Sequence, residues 1–433
     1  MKNQTADKKT TVGIIGGGAA GLMAAVFASK GGAEVTVFEK NKSVKQLDSE
    51  RYFDNCYLGK KLLITGKGRC NLTNDCTLEE FMANVPKNPK FLFSAFNFMT
   101  PQSIMEFFEN AGVPLKVERG RRVFPVSDKA ADILYAIKRK TREYGVRFVN
   151  AEVEKLDFSN DGVVVNCKDG RKQEFCNVII ATGGKSYPIT GSDGYGYELA
   201  KSAGHTITDI MPSLVPLETG SEQFHGISGL SLKNVKLKLY ENGKKKPLFE
   251  ELGEMLFTHF GVSGPLVLSA SAYMRKSDIS AYTMTVDLKP GLENEKLDTR
   301  ILSDFTAFQN KNLENALVKL IPQSLIRPLI NVAGLDKDLK VNSVTREQRE
   351  ILLKTIKALP IDICAKRPID EAIVTSGGVK VSEINPSTMA SKLCNRLYFA
   401  GEIIDADAFT GGYNLQIAFC TGALAGKSSA ANL

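Results

Sequence analysis

The sequence predicts an α/β fold: a mostly parallel sheet whose two parts are separated in the chain by a β-rich insertion and a helical unit. Three observations carry the prediction. Apolar strand-like runs alternate with helical patterns at both ends of the chain, and several of these runs end in glycines. Between about residues 205 and 357 the pattern changes to alternating hairpins and then to charged helices.

The first element is Thr11-Val12-Gly13-Ile14-Ile15, a short apolar run of the kind that forms a buried parallel strand. Gly16-Gly17-Gly18-Ala19-Ala20-Gly21 follows and matches G-x-G-x-x-G. Gly16 permits the tight turn, Gly18 leaves room for a pyrophosphate against the backbone, and Gly21 lets the next helix approach the strand. The unpaired amides that begin that helix carry the positive end of its dipole, where a diphosphate would sit. Leu22, Ala25, Val26 and Ser29 share one helical face, and Val35 to Glu39 is the next strand. Glu39 lies 18 residues after Gly21, where an acid can bind ribose hydroxyls; it disfavours a 2′-phosphate, so the ligand reads as NAD or FAD and not NADP. A glycine turn in an ordinary α/β domain is the rival, and the complete strand–turn–helix–strand context argues against it.

Composition narrows the class. The 433 residues allow two or three domains, and 43% apolar with 24% charged residues is ordinary for a soluble globular chain. The first ten residues are polar and no run is long enough to span a bilayer, so a cytoplasmic protein without a membrane partner is expected. Eight scattered cysteines without a C-x-x-C disfavour a zinc site, a redox dithiol and a disulfide framework. His205, His225 and His259 have no paired spacing, so no metal centre is expected. A charge of +8 is modest, and Lys244-Lys245-Lys246 after Asn242-Gly243 reads as an exposed hairpin; nucleic acid is not expected as a partner.

Residues 41 to 57 read as a loop. Gly59 to Asn74 is a polar loop able to wrap a cofactor, with Gly66, Gly68, Arg69 and Asn71 in it; its spacing, like that of Gly422 to Ser428, fails as a P-loop. Residues 78 to 111 look helical, with Phe91, Phe93, Phe96, Phe98, Phe107 and Phe108 as core. Arg119 to Pro125 is a basic turn entering a strand, and Ala130 to Tyr144 is a helix capped by Gly145. Strands follow at 146–158 and 162–167, then Asn177 to Ala181 runs into Thr182-Gly183-Gly184, a backbone suited to passing close to a dinucleotide. Gly191 to Gly196 opens a helix that ends near Gly204. The insertion holds strands at Val235 to Tyr240, Glu254 to Thr258 and Tyr282 to Leu288, then helices over 291–357. The α/β pattern returns with Ala372 to Val379 and Leu397 to Gly401. The expected organisation is therefore 1–204 and 358–433 as the two parts of a nucleotide-binding domain, 205–290 as a β-rich insert and 291–357 as a helical cap.

After Leu397 to Gly401 come Glu402-Ile403-Ile404-Asp405 and Phe409 to Gln416, then a helix from Leu415 through Ala425 whose first amides would face the space above the last strand. Gly16 to Gly21 with Glu39-Lys40, Gly66 to Asn74, Ala181 to Gly184, Phe257 to Pro265 and Ala400 to Gln416 together resemble the bacterial FAD flavoproteins known as aminoacetone-oxidase-like or bile-acid-inducible-N-like oxidoreductases. The likeness covers nearly the whole chain and implies a Rossmann-like FAD-binding domain with an inserted small β-barrel and a helical cap. It places the cofactor against Gly16, Gly18, Ala19, Ala20, Gly21, Glu39 and Lys40. It adds Gly66, Gly68, Arg69, Cys70 and Asn71, then Val153 and Ala181, Thr182, Gly183 and Gly184. From the C-terminal stretch it takes Gly401, Glu402, Asp405, Gly412, Tyr413, Asn414, Leu415 and Gln416. Lys67 departs from the pattern, standing where glycine is expected between Gly66 and Gly68.

The implied activity is an FAD-dependent oxidoreductase moving a hydride between a small organic substrate and flavin N5. Arg122 and Phe124 are placed toward the substrate, His259 is read as structural, and no general base is named. The chain has no second G-x-G-x-x-G unit, so NAD(P)H is expected only as a transient co-substrate using the same cleft. The alternatives are an FAD-containing tRNA-modifying enzyme, which needs a basic groove, and a non-catalytic flavin sensor or scaffold.

Overall fold

The computed structural model describes residues 9–42 and 56–431, so most of the loop expected over 41–57 lies outside the described residues. The chain divides into two units, 1–212 with 373–433, and Ser213–Ala372.

The first unit is built on five parallel strands: β1 (Thr11–Ile15), β2 (Glu34–Glu39), β3 (Arg147–Asn150), β4 (Asn177–Ile180) and β5 (Leu397–Phe399), in the spatial order β5-β4-β1-β2-β3. Their apolar side chains are buried on both faces, which is why they read as continuous Val/Ile runs instead of alternating ones. Ile15 is in register with Ile180 on one side and Phe38 on the other, and Ile180 with Phe399. The strands therefore end together, and the turns that follow them, at Gly16, Glu39, Ala181 and Ala400, meet at one sheet edge. This is the edge where open α/β sheets bind ligands.

The helix after β1, α1 (Ala19–Lys30), differs from the one-faced helix of the sequence reading: Leu22 to Val26 are all buried. Its second side is covered by the C-terminal helix, Tyr413–Ala430, which starts two residues earlier and ends five later than expected. A Cβ on Gly422 would lie 2.3 Å from the Ala20 carbonyl oxygen, and one on Gly426 2.2 Å from that of Ala24. The Gly422 to Gly426 stretch that fails as a phosphate loop is thus a helix–helix contact that only glycine admits. A three-stranded antiparallel sheet (Thr73–Asn74, Arg122–Pro125, Leu115–Glu118) and a meander (Val153–Phe158, Val163–Cys167, Lys172–Phe175) complete this unit. Among the phenylalanines expected in its core, Phe91, Phe96 and Phe108 are buried, Phe98 and Phe107 are partly buried, and Phe93 is 55% exposed at the start of a short helix.

The second unit holds a seven-stranded antiparallel sheet, with Ser231–Glu241 and Phe249–Phe257 as its long central pair. Its edge strands, Leu359–Ile361 and Ile363–Lys366, are separated by Asp362 alone, so the sheet curls until its two edges nearly meet. The sequence reading closed the insert at 357, whereas these two strands pair inside it and the chain leaves it only after Ala372. The helices Asn294–Ala307, Gln323–Val332 and Arg346–Lys357 bury Leu297, Ile326 and Leu352 in the same core as Leu237 and Val286. The expected insert and cap therefore form one unit, because neither amphipathic layer has another apolar face to bury. Among the described residues, no helix is long and apolar enough to cross a membrane.

Gly422→Val and Gly426→Val force a side chain into the α1 backbone, and each is expected to cost about 3 kcal/mol. Urea unfolding midpoints check this; a change within about 0.5 kcal/mol, the usual range for surface substitutions, would show that the two helices part without cost.

Candidate functional site

A cleft of about 980 Å³ opens at the carboxyl edge of the sheet, and the described residues that line it all belong to the first unit. Its volume is at the upper end for ligand sites, which run to roughly 1,000 Å³. Gly16, Gly18, Ala19 and Ala20 form one wall. Gly16 has φ +104°, and a Cβ there would strike the Ala181 carbonyl at 2.6 Å. A Cβ on Gly18 would meet nothing within 4 Å, so its backbone faces open space. No side chain caps α1, which leaves its first amides available to an anion. Gly21 does not line the cleft; its Cβ would sit 1.9 Å from the Gly16 carbonyl, so it sets how near the helix comes to the turn.

Glu39 lines the cleft but is only 7% exposed. One carboxylate oxygen accepts from the Gly17 amide at 2.9 Å; the other accepts from the Asn41 amide at 2.7 Å and the Asn41 side chain at 2.8 Å. A carboxylate has about four acceptor positions, so one remains for a ribose hydroxyl. Burial pushes the Glu39 pKa up, against the pull of the Asn41 and Gly17 hydrogen bonds and of Lys40. Lys40 itself pairs with Asp193 at 2.6 Å. Asn41, missed from sequence, also donates to the Thr190 carbonyl and accepts from Lys60.

The glycine loop closes a second wall. The Gly59 amide donates to Gly17 O at 2.9 Å, tying this loop to the first turn, and Lys60–Ile64 forms a short helix. Gly66, Lys67, Gly68 and Cys70 all have left-handed backbone. Lys67, at φ +59°, explains why glycine suits that position: a lysine there costs about 1 kcal/mol. Arg69 is held by Glu118 and Asp128, and its guanidinium lies 4.1 Å from the centre of the Phe124 ring. Gly66, Arg69, Asn71, Arg122, Phe124 and Val153 line the cleft, whereas Gly68 and Cys70 do not. Cys70 is fully buried, and burial pushes its thiol up to about 12, so it serves as packing.

The remaining walls come from the ends of β4 and β5. Ala181, Thr182 and Gly183 face the cleft, and Gly184 is turned instead against Thr375, whose hydroxyl its Cβ would meet at 2.4 Å. Gly401 and Glu402 line it, as do Gly412, Tyr413, Asn414 and Leu415. Gly412 is left-handed and presses on the Thr73 carbonyl, and Asn414 clamps the backbone of Ala408 and Phe409. Asp405 and Gln416 stand outside the cleft. Asp405 pairs with Lys87 at 2.6 Å and accepts from Asn88, while Gln416 joins Thr73 to the Met99 carbonyl. Their carboxyl and amide groups hold neighbouring segments together.

A polar cluster at the cleft wall joins Glu402, expected from the sequence, to Lys61, which sequence reasoning missed. Lys61 donates to Glu402 at 2.6 Å and to Ser186 at 2.7 Å, and Glu402 also accepts from Ser186 and the Thr375 amide. Lys61 and Glu402 are 341 residues apart in the chain, so no local pattern links them. His259 lies in the second unit, exposed and edge-on to Phe260.

The profile of the HI0933-like protein Rossmann domain matches residues 10–428. The chain belongs to the HI0933-like family. This is a family of FAD-binding Rossmann proteins, in agreement with the parallel sheet and with the flavoprotein oxidoreductase resemblance of the sequence. Among similar proteins, a 3-dehydro-bile acid delta(4,6)-reductase of Clostridium scindens is 31% identical over 424 residues, covering 97% of this chain and 98% of that one. A ribosomal RNA dihydrouridine synthase of Haemophilus influenzae is 29% identical over 413 residues, covering 94% and 95%. A solved flavocytochrome c3 fumarate reductase aligns with 98% of this chain and 78% of its own at 17% identity and a TM-score of 0.43.

The residues of the HI0933-like cleft fit a flavin dinucleotide on their own chemistry. The Gly18 backbone is open and α1 is uncapped. Asn71 Oδ1 and Thr182 Oγ1 are buried at cleft-lining residues without a hydrogen-bond partner among the described residues.

Because the folded Glu39 pKa lies above its ordinary 4.5, the native state binds more proton than the unfolded chain between those two values. Its contribution to stability therefore falls as pH rises through that window. In Glu39→Gln this slope disappears, while the amide group set against a backbone N–H costs about 1–3 kcal/mol throughout. Urea midpoints over about pH 4 to 7 should show the deficit of the variant shrinking as pH rises; a constant deficit would show that burial does not perturb Glu39.

Proposed function

We propose that the protein is an FAD-dependent oxidoreductase that moves a hydride between a small organic substrate and the flavin. The observation that carries this reading is the convergence, at one sheet edge, of the uncapped start of α1, the Glu39 carboxylate with an acceptor position left, and the start of the C-terminal helix. The bile acid reductase, similar over nearly the full length of both chains, supports reductase chemistry on a small molecule.

In this reading the Gly16 to Ala20 backbone holds the diphosphate, and Glu39 accepts from the adenosine ribose. Ala181 to Gly183, Gly66 to Asn71 and Gly412 to Leu415 enclose the ring end, where the C-terminal helix amides favour negative charge. FAD, when bound, supplies the position that accepts or donates the hydride. Lys61 places its amino group in the cleft, and the Ser186 and Glu402 contacts fix where it sits. Nicotinamide, if it is the reductant, shares the substrate's cleft, since the chain has no second dinucleotide fingerprint; substrate and reductant then take turns.

The ribosomal RNA dihydrouridine synthase relatives support a second reading, an RNA-modifying flavoenzyme, and weigh against the expectation that nucleic acid is not a partner. Retention of ribosomal RNA on the purified protein at moderate salt would favour it over a small substrate.

The purified protein should be yellow and should release FAD on denaturation, identified by mass. Release of FMN, of NAD alone or of no cofactor would overturn the proposal. Anaerobic titration with NADH and NADPH, followed by the flavin absorbance, then tests the nicotinamide assignment.

A further inference from the structure

Among the described residues, six cationic side chains line the cleft: Lys40, Lys60, Lys61, Lys67, Arg69 and Arg122. Four are already engaged. Lys40 pairs with Asp193, Lys61 with Glu402, and Arg69 with Glu118 and Asp128. Lys60 donates to Asn41 and lies over the Tyr57 ring at 5.0 Å. Lys67 and Arg122 have no carboxylate partner among the described residues.

Both residues line the cleft near Phe124. The Phe124 ring lies within 3.3 Å of where a Gly66 Cβ would stand, next to Lys67, and the Arg122 guanidinium is 5.8 Å from the same ring's centre. The Arg122 Nε donates to the Arg119 carbonyl at 3.0 Å, which leaves its terminal amino groups for another acceptor. Lys67 holds its place in a left-handed conformation that glycine would adopt without strain. A charged side chain kept at a backbone cost, on the wall of a cavity and without a carboxylate partner among the described residues, is better explained by a ligand than by folding.

The geometry points to Lys67 and Arg122 as an anion-recognition pair that takes the carboxylate or phosphate group of a small organic substrate. Arg122 supplies a planar fork suited to two oxygens and Lys67 a mobile point charge beside it. The assignment rests on the oxidoreductase reading above and narrows its substrate to one bearing an oxyanion.

The test uses three probes of equal chain length, hexanoate, hexyl phosphate and 1-hexanol, titrated into the FAD-loaded protein. Calorimetry and the perturbed visible spectrum of the flavin are the readouts. At low salt at least one anionic probe should bind on the order of tenfold more tightly than hexanol. Preference for hexanoate assigns the site to a carboxylate and preference for hexyl phosphate to a phosphate. In Lys67→Gly with Arg122→Gln that advantage should be lost. Lys67→Gly alone should weaken the anionic probe without lowering the thermal midpoint, which a merely structural lysine would not do. Equal binding of all three probes, no saturable binding, or an undiminished anion preference in the double variant overturns the assignment. So does an oligoribonucleotide that displaces hexyl phosphate through the same two side chains, because the site would then serve a polymer. A protein that purifies without FAD sinks the flavin reading alone, since the calorimetric comparison of probes stands without the chromophore.

Discussion

The cleft depends on how closely α1 approaches its neighbours. Four contacts set that distance: Gly21 on the Gly16 carbonyl, Gly422 on Ala20, Gly426 on Ala24, and Gly401 on the Ala20 methyl, with a Cβ added at any of the four glycines coming within 1.9 to 2.7 Å. Three of these glycines lie inside helices, where each costs about 1 kcal/mol relative to alanine. The cost is offset because the helices can then pack backbone to backbone. As a result α1 begins over the end of β1 with its amides at the sheet edge, and a helix displaced outward by a methyl group would carry that anion site with it.

The same constraint fixes the start of the C-terminal helix. It is packed along α1, so its N-terminus arrives at the same cleft, and Gly412 and Asn414 complete the turn there. Two helix dipoles thus direct positive ends into one space, and paired cations surround it. Glu39 has two tasks in this frame. It holds the Gly17 amide and the Asn41 segment, and it offers a remaining acceptor position to a ligand. A buried carboxylate with that many donors resists removal more as a structural group than as a surface contact.

Much of this was legible in the sequence, and the reasons for the rest are physical. Gly16 to Gly21, Glu39 and the apolar strands declare themselves because turn geometry and burial restrict residue type locally. The clash at Gly422 and Gly426 is equally local in sequence, but its meaning appears only when the second helix is in place. Lys61 with Glu402, and Gln416 between Thr73 and Met99, are side-chain contacts across hundreds of residues, and no periodicity encodes them. Asp405 lies near the cleft-lining Gly401 and Glu402 in sequence, yet its carboxylate pairs with Lys87, away from the cleft. The insert's true end was hidden because Leu359–Ile361 and Ile363–Lys366 are as apolar as a returning sheet strand would be; only their partners show which sheet owns them.

The division of labour within the chain follows from where the two cores lie. Each unit has its own hydrophobic cluster, and every described residue that lines the cleft comes from the first. The frame proposed to hold FAD therefore draws, among the described residues, on the first unit. Such a frame leaves the inserted unit free of the backbone constraints that bind Gly21, Gly422 and Gly426. Within the first unit the same freedom exists only where a side chain reaches the cleft without supporting it. Lys67 meets that condition, whereas Glu39 and Asn414, which also hold backbone in place, and Arg122, whose Nε holds the Arg119 carbonyl, do not. Changes of substrate within this fold should then be carried first by positions of the former kind, because altering them leaves the helix contacts and the sheet edge intact.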